Sequence, residues 1–115
     1  MSQEQYSAGK PSDYRMRESR VLRTIRDGKV ARVLKLNTND AKVAEIFAMA
    51  QPDAIWLCSE HCSGSYESME HQIRAAKIYD VDAIVRVSRG SYSDYIRPLE
   101  MDAAGLIVPH VMNLA

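Results

Sequence analysis

The sequence predicts an α/β protein built on a parallel sheet, and three observations predict it. Short apolar runs of strand type recur along the chain, segments of helical period separate them, and polar caps or Gly and Pro residues stand at the junctions. Residues 1–11, with Gly9 and Pro11 and no apolar periodicity, read as a flexible tail, and residues 12–115 as one domain. Ser12 or Asp13 is expected to cap a leading helix that runs to about Asp27, where Gly28 supplies the left-handed residue that ends it. In that helix Val21, Leu22 and Ile25 are expected to face inward, and Arg15, Arg17, Arg20, Arg23 and Arg26 to form the solvated side.

Arg32 to Asn37 alternates and reads as the first strand. Asn39 or Asp40 then caps a helix with Val43, Ala44, Phe47 and Ala48 on one face, closed by Pro52. Ala54–Cys58 is a run of the kind found in buried strands, and Ser65 to Tyr79 carries Met69, Ile73, Ala76 and Lys77 at helical spacing. Ala83–Val87 gives the third strand, Ser93 to Met101 a short helix, and Gly105–Val108 the fourth strand. Strands alternating with helices pair in parallel, because each crossover returns the chain in the same direction. Two closures compete, a doubly wound open sheet and part of a (β/α)8 barrel. Four strands are too few to close the barrel. Asn37-Thr-Asn-Asp40 stands where a dinucleotide or phosphate fold would place a Gly-rich loop.

Composition narrows the function classes. The chain has 115 residues, 46% of them hydrophobic and 26% charged, enough for a core without disulfide or metal support. Its longest apolar runs are far shorter than the roughly 20 residues of a membrane helix, and no secretory signal is legible near Met1, so a cytoplasmic location is expected. The net charge of zero conceals an asymmetry: residues 1–35 hold nine of the 15 basic residues and four acids. No nucleic-acid recognition motif accompanies those arginines, and nucleic-acid binding is not expected.

In parallel α/β folds ligands bind beyond the carboxyl ends of the strands. Those ends offer Lys35 and Asn37, then Glu60 and His61, then Arg86, then His110. Arg86 lies within an apolar run, where an unpaired guanidinium would be costly, so it needs an anionic partner, and Glu60 from the neighbouring strand end is the candidate. It serves either as an internal ion pair or as a fork for a carboxylate or enolate oxygen. His61 offers an imidazole suited to proton transfer near neutral pH, whereas His71, in mid-helix, reads as a surface residue. Cys58 and Cys62 flank the Glu-His pair, but no second cysteine pair exists to complete a closed zinc site. Free thiols are the plainer reading.

Ala54-Ile-Trp-Leu-Cys-Ser-Glu-His61, Gln72-Ile-Arg-Ala-Ala76, Ile84-Val-Arg-Val87 and Ala103-Ala-Gly-Leu-Ile-Val-Pro109 fall in an order and spacing that is similar to one family. From about Val21 to Val111 the chain resembles the hydroxy-oxo-heptanedioate (HpcH/HpaI-type) aldolase and citrate lyase β-subunit family. The resemblance implies about half of a (β/α)8 barrel with a leading helix. It also implies a metal-dependent class II lyase that breaks or makes a carbon–carbon bond through a pyruvate enolate, acting on a 2-oxo acid and an aldehyde. By position, the family's Glu-His pair falls on Glu60 and His61, with His61 as general base and Glu60 at the substrate. Its arginine falls on Arg86, expected to hold the pyruvate oxygens. The divalent metal, Mg2+, Mn2+ or Co2+, is expected from carboxylates on later strands, so no metal ligand is assigned in this chain.

Two departures bear on this. The family's D-x-E-H-G stands here as Cys58-Ser-Glu-His-Cys62, without the aspartate that orients the histidine, and Asp102 replaces a glycine before the fourth strand. The alternative reading is therefore a non-catalytic family domain kept for binding or assembly. An open sheet edge predicts a homo-oligomer in either case.

Overall fold

The computed structural model describes residues 15–113, and the expected tail at 1–11 and the caps Ser12 and Asp13 lie outside them. The order is α1 (Arg20–Arg26), β1 (Val33–Lys35), α2 (Ala41–Met49), β2 (Ala54–Cys58), α3 (Tyr66–Ile78), β3 (Asp82–Arg86), α4 (Tyr92–Glu100) and β4 (Gly105–Ile107). The strands form one parallel sheet in sequential order, β1-β2-β3-β4. Sequential order with a helix in each crossover is that of successive βα units in a (β/α)8 barrel, and it excludes the doubly wound alternative, whose strand order reverses.

Alternation divides the sheet into two faces. Ile55, Leu57, Ala83, Val85 and Val87 meet Ala44, Ala48, Ile73 and Ala76 of α2 and α3 in one core. Ala54, Trp56 and Cys58, with Asp82, Ile84 and Arg86, therefore point to the opposite face, which among the described residues no helix covers except where the start of α1 meets Asp82.

Each helix stops in the same way. Gln51, Asp80 and Asp102 take φ of 58°, 55° and 69° just beyond α2, α3 and α4, and Gly28 takes 72° beyond α1. A left-handed residue at that position closes a helix by bonding its last carbonyls. The Asp102 N–H bonds the Leu99 carbonyl in this way, so the position where the family carries glycine keeps the glycine backbone conformation with an aspartate.

The leading helix departs from expectation. It begins at Arg20 with Ser19 as its cap, whose hydroxyl accepts from the Leu22 N–H at 3.2 Å, and it buries none of its residues. Leu22 and Ile25 are exposed rather than packed inward. The arginines expected on a solvated face instead turn to the amino ends of the strands. Arg17 bonds Asp80 at 3.0 Å and also Asp82, Arg23 bonds Asp80 at 2.7 Å, and Arg20 approaches Asp53 at 3.4 Å. Polar docking wins because Asp53 and Asp82 are nearly inaccessible carboxylates that must be satisfied, whereas leaving two apolar side chains half exposed costs less.

Candidate active site

At the opposite, carboxyl ends of the strands, four predicted residues gather, three of them around the carboxylate of the fourth. Glu60, just past β2, places Oε2 3.1 Å from Arg86 Nε and 3.5 Å from His61 Nε2, and Oε1 3.3 Å from His110 Nε2. The parallel register does this: Cys58 of β2 lies beside Arg86 of β3, which lies beside Ile107 of β4, so the residues that follow β2 and β4 flank the arginine. Glu60 is the anionic mate that burial of Arg86 required. Its carboxylate and the guanidinium are 11% and 18% exposed, while both imidazoles are 65% exposed and reach into solvent.

Cys58 completes the arrangement. Arg86 donates from Nε and Nη2 to its Sγ at 3.3 and 3.1 Å, and the His61 backbone N–H donates to the same sulfur at 3.3 Å. Burial resists ionisation of this thiol, but the His61 N–H, the Arg86 guanidinium and the Glu60 N–H outweigh it, so the thiol titrates below its ordinary range. Arg86 is in turn held protonated chiefly by its bond to Cys58, against its own desolvation and with the charge of Glu60 adding to it. Where the family carries an aspartate, this chain thus holds a sulfur that touches the arginine and the histidine backbone rather than the imidazole.

In a Cys62→Ser background, the ultraviolet thiolate absorbance of Cys58 is expected to rise at lower pH than a free cysteine, about 8.5. Arg86→Leu should move that rise upward. An unchanged midpoint in Arg86→Leu would show that the guanidinium does not govern the thiol.

The other predicted residues divide. Lys35 lies on the uncovered face with its Nζ 5.3 Å from the centre of the Trp56 ring, and the Arg86 guanidinium lies 5.0 Å from the same ring. Asn37 accepts from Cys62 Sγ at 3.5 Å, which ties the loop after β2 to the end of β1. His71 is exposed on α3 and takes no part. Trp56 was not singled out in the sequence, although strand alternation two residues before Cys58 places it on the same face. Its indole sits between two cations in a cation–π arrangement, and its buried Nε1 has no hydrogen-bond partner among the described residues. Ser59 was also unremarked. Ser59 Oγ donates to the Arg86 carbonyl at 3.0 Å and Ser88 Oγ to the Ser59 carbonyl at 3.3 Å, fastening the ends of β2 and β3 together.

Among the described residues no three His, Cys, Asp or Glu side chains are disposed to hold a metal ion. Glu60 is the one carboxylate of the cluster, and its oxygens already serve a guanidinium and two imidazoles, so these residues do not fit the divalent ion that the resemblance implies.

Comparison with known proteins agrees with this fold. The chain is 29% identical over 87 residues to the 2-keto-3-deoxy-L-rhamnonate aldolase of Escherichia coli, an overlap of 76% of this chain and 33% of that protein. It is similar in structure to the citrate synthase SbnG, with a TM-score of 0.73 and 31% identity across 77% of this chain and 36% of that one. Macrophomate synthase shares the fold at a TM-score of 0.72 and 22% identity, over 86% of this chain and 34% of its own. An HpcH/HpaI aldolase from Desulfitobacterium hafniense does so at 0.69 and 23%, over 75% and 34%. No protein-family model matches. The chain spans about a third of the length of the curated relatives it matches. In its motifs and its parallel βα order, the chain is similar to members of the HpcH/HpaI aldolase/citrate lyase family and resembles the N-terminal part of their barrel.

Proposed function

We propose that the chain supplies the enolate-holding half of a carbon–carbon lyase site, in which Arg86 grips the oxygens of a 2-oxo acid and His61 moves the proton. The observation that carries this is the position of Arg86, at the carboxyl edge of a parallel sheet and held 3.1 Å from Glu60. A guanidinium fixed by its neighbours meets charge that grows on an enolate oxygen without reorganising, which is the source of most electrostatic catalysis. Glu60 orients Arg86 and both imidazoles from one carboxylate, and His61, largely exposed, is free to meet a substrate proton. Relatives named as aldolases support this class of reaction. The divalent ion would act as a Lewis acid toward the 2-oxo acid when bound by carboxylates from outside the described residues, and no proton transfer described here depends on it.

A second reading, a family domain kept for binding or assembly, is favoured by one observation. The Arg86 guanidinium is occupied by Cys58 Sγ as well as by Glu60, and no carboxylate orients His61 from the Cys58 position. The two separate in a deuterium-exchange experiment on the protein carrying this chain. Pyruvate incubated in D2O with Mn2+ is expected to acquire deuterium at its methyl carbon, and a 2-oxo-4-hydroxy acid to be cleaved to pyruvate and an aldehyde. Neither exchange nor cleavage, in protein that is folded by circular dichroism, would leave the binding role.

A further inference from the structure

The first and last positions of D-x-E-H-G are both cysteine in this chain, and the structure sets the two in one place. Cys58 ends β2 and Cys62 lies in the turn that follows, so Ser59, Glu60 and His61 stand between them. The His61 N–H donates to the Cys58 sulfur at 3.3 Å, which folds the chain back onto Cys58 one residue before Cys62. Both cysteines border the same cavity, about 10 Å³ in volume, room for about one water. Each is a free thiol. Cys62 is tethered by a long bond from Sγ to Asn37 Oδ1, 3.5 Å, in a segment of bends between β2 and α3, where a small shift of the loop carries it toward Cys58.

The Cys58 sulfur is equipped as a nucleophile. Three donors converge on it, the His61 N–H and the Arg86 Nε and Nη2, the last two at 3.3 and 3.1 Å. They favour the thiolate, which is the attacking form and the one oxidised first. Cys58 is 6% exposed, so an oxidant that reaches it must be small. The lyase reading gives this sulfur no task.

We propose that Cys58 and Cys62 are a redox pair, in which hydrogen peroxide oxidises Cys58 and Cys62 resolves it to a reversible disulfide within the chain. The Cys58 thiolate attacks one peroxide oxygen. The S–O bond forms, the O–O bond breaks, and the other oxygen leaves as hydroxide and takes a proton to become water. The Cys62 thiolate then attacks the sulfenic sulfur, the S–S bond forms, and the S–O bond breaks to release a second water. Two thiols and one peroxide thus give one disulfide and two waters, the sulfurs losing the two electrons that the peroxide gains. The closed ring contains Glu60 and His61, and the bridged sulfur no longer carries the charge that Arg86 meets. On the lyase reading, on which this consequence rests, oxidation displaces the imidazole that moves the proton and switches the site off.

The test is peptide mass spectrometry of the protein carrying this chain, treated with hydrogen peroxide at neutral pH, blocked with iodoacetamide and digested with trypsin. Both cysteines fall in the tryptic peptide 43–74, so the bridge is read as that peptide unblocked, lighter by two hydrogens than the dithiol, and reopened by dithiothreitol. Nearly complete conversion is expected. In Cys62→Ser, Cys58 should stop at the sulfenic acid and be captured by dimedone, whereas Cys62 in Cys58→Ser should react about tenfold more slowly. Cys62→Ala replaces Cys62→Ser should that variant fail to fold. Thiols that stay reduced in folded wild-type protein, a bridge to any other cysteine, or equal reactivity of the two thiols would each overturn the proposal. Deuterium exchange into pyruvate, measured after the peroxide is removed, should fall at least about tenfold with the bridge and return with dithiothreitol. Undiminished exchange in the bridged protein would overturn the control of the site. Absence of exchange in the reduced protein would overturn the lyase reading instead, while the bridge stands or falls on the peptide mass.

Discussion

Under the proposed enolate chemistry, Arg86→Lys is expected to lower the retro-aldol rate by about 10²–10³, the usual cost of losing one donor to a developing oxyanion. The loss should fall on kcat and on kcat/KM together, since the contact strengthens as the electron pair of the breaking carbon–carbon bond is delocalised through the carbonyl onto its oxygen. Lysine keeps the positive charge but not the fork. Arg86 places Nε against Glu60 while Nε and Nη2 both reach Cys58, and one ammonium cannot hold those positions and a substrate oxygen as well. Cys58→Ala should cost far less, and Cys58→Asp should raise the rate, because a carboxylate at that strand end can stabilise an imidazolium where a sulfur turned toward Arg86 does not. Wild-type turnover in Arg86→Lys would make Arg86 a structural member of an ion pair and return the site to the binding reading. Measuring the three variants with added Mn2+ under steady-state conditions distinguishes these outcomes.

The sheet and its site were legible because they depend on period and register, which the sequence displays. The alternating apolar runs at Ala54–Cys58 and Ala83–Val87 set which residues share a face, and a parallel sheet then brings the end of β2 beside the end of β3. Glu60 against Arg86 follows from that with no further information. His110 was placed at the same edge by the same reasoning, but the carboxylate it shares with His61 was not foreseen, since it depends on a left-handed turn at His110, φ 54°, that no local pattern announces.

The leading helix was misread for a different reason. Val21, Leu22 and Ile25 have helical spacing, and spacing alone predicts an inward apolar stripe. What decides the docking is remote in sequence: Asp53, Asp80 and Asp82 sit at the amino ends of β2 and β3 and recruit Arg20 and Arg23 of α1 together with Arg17 just before it. Three aspartates each beside the start of a strand were a visible signal, but the partner they select is visible only in three dimensions. Trp56 was passed over because an indole in an apolar run reads as core, and its role between Lys35 and Arg86 appears once the uncovered face is known.

Asp82→Ala is expected to be the most damaging substitution away from the site, lowering stability by about 3 kcal/mol, the range for removing one partner of a buried charged network. Asp82 is wholly inaccessible, and its carboxylate accepts from the Ser19 hydroxyl at 2.6 Å, from the Val21 N–H at 2.9 Å and from Arg17. Since α1 buries none of its own residues, these bonds and those to Asp53 and Asp80 are what dock it. Burial of Asp82 raises its pKa, but the Ser19, Val21 and Arg17 donors outweigh that and hold it below the ordinary carboxylate value; Asp53 and Asp80 are lowered as well. Depressed carboxylates contribute stability that is complete above their unfolded value, near 3.9, and is lost as pH falls through the folded values. Urea unfolding monitored by circular dichroism should therefore show a midpoint that falls below about pH 4 in the wild-type protein. In Asp82→Ala the midpoint should be lower at neutral pH, with a flatter acid limb because one titrating group is gone. Asp82→Asn, which keeps an acceptor for Ser19 or Val21 but not the charge that Arg17 meets, should fall between the two. Equal stability of Asp82→Ala and wild type at pH 7 would show that α1 is not docked through this carboxylate.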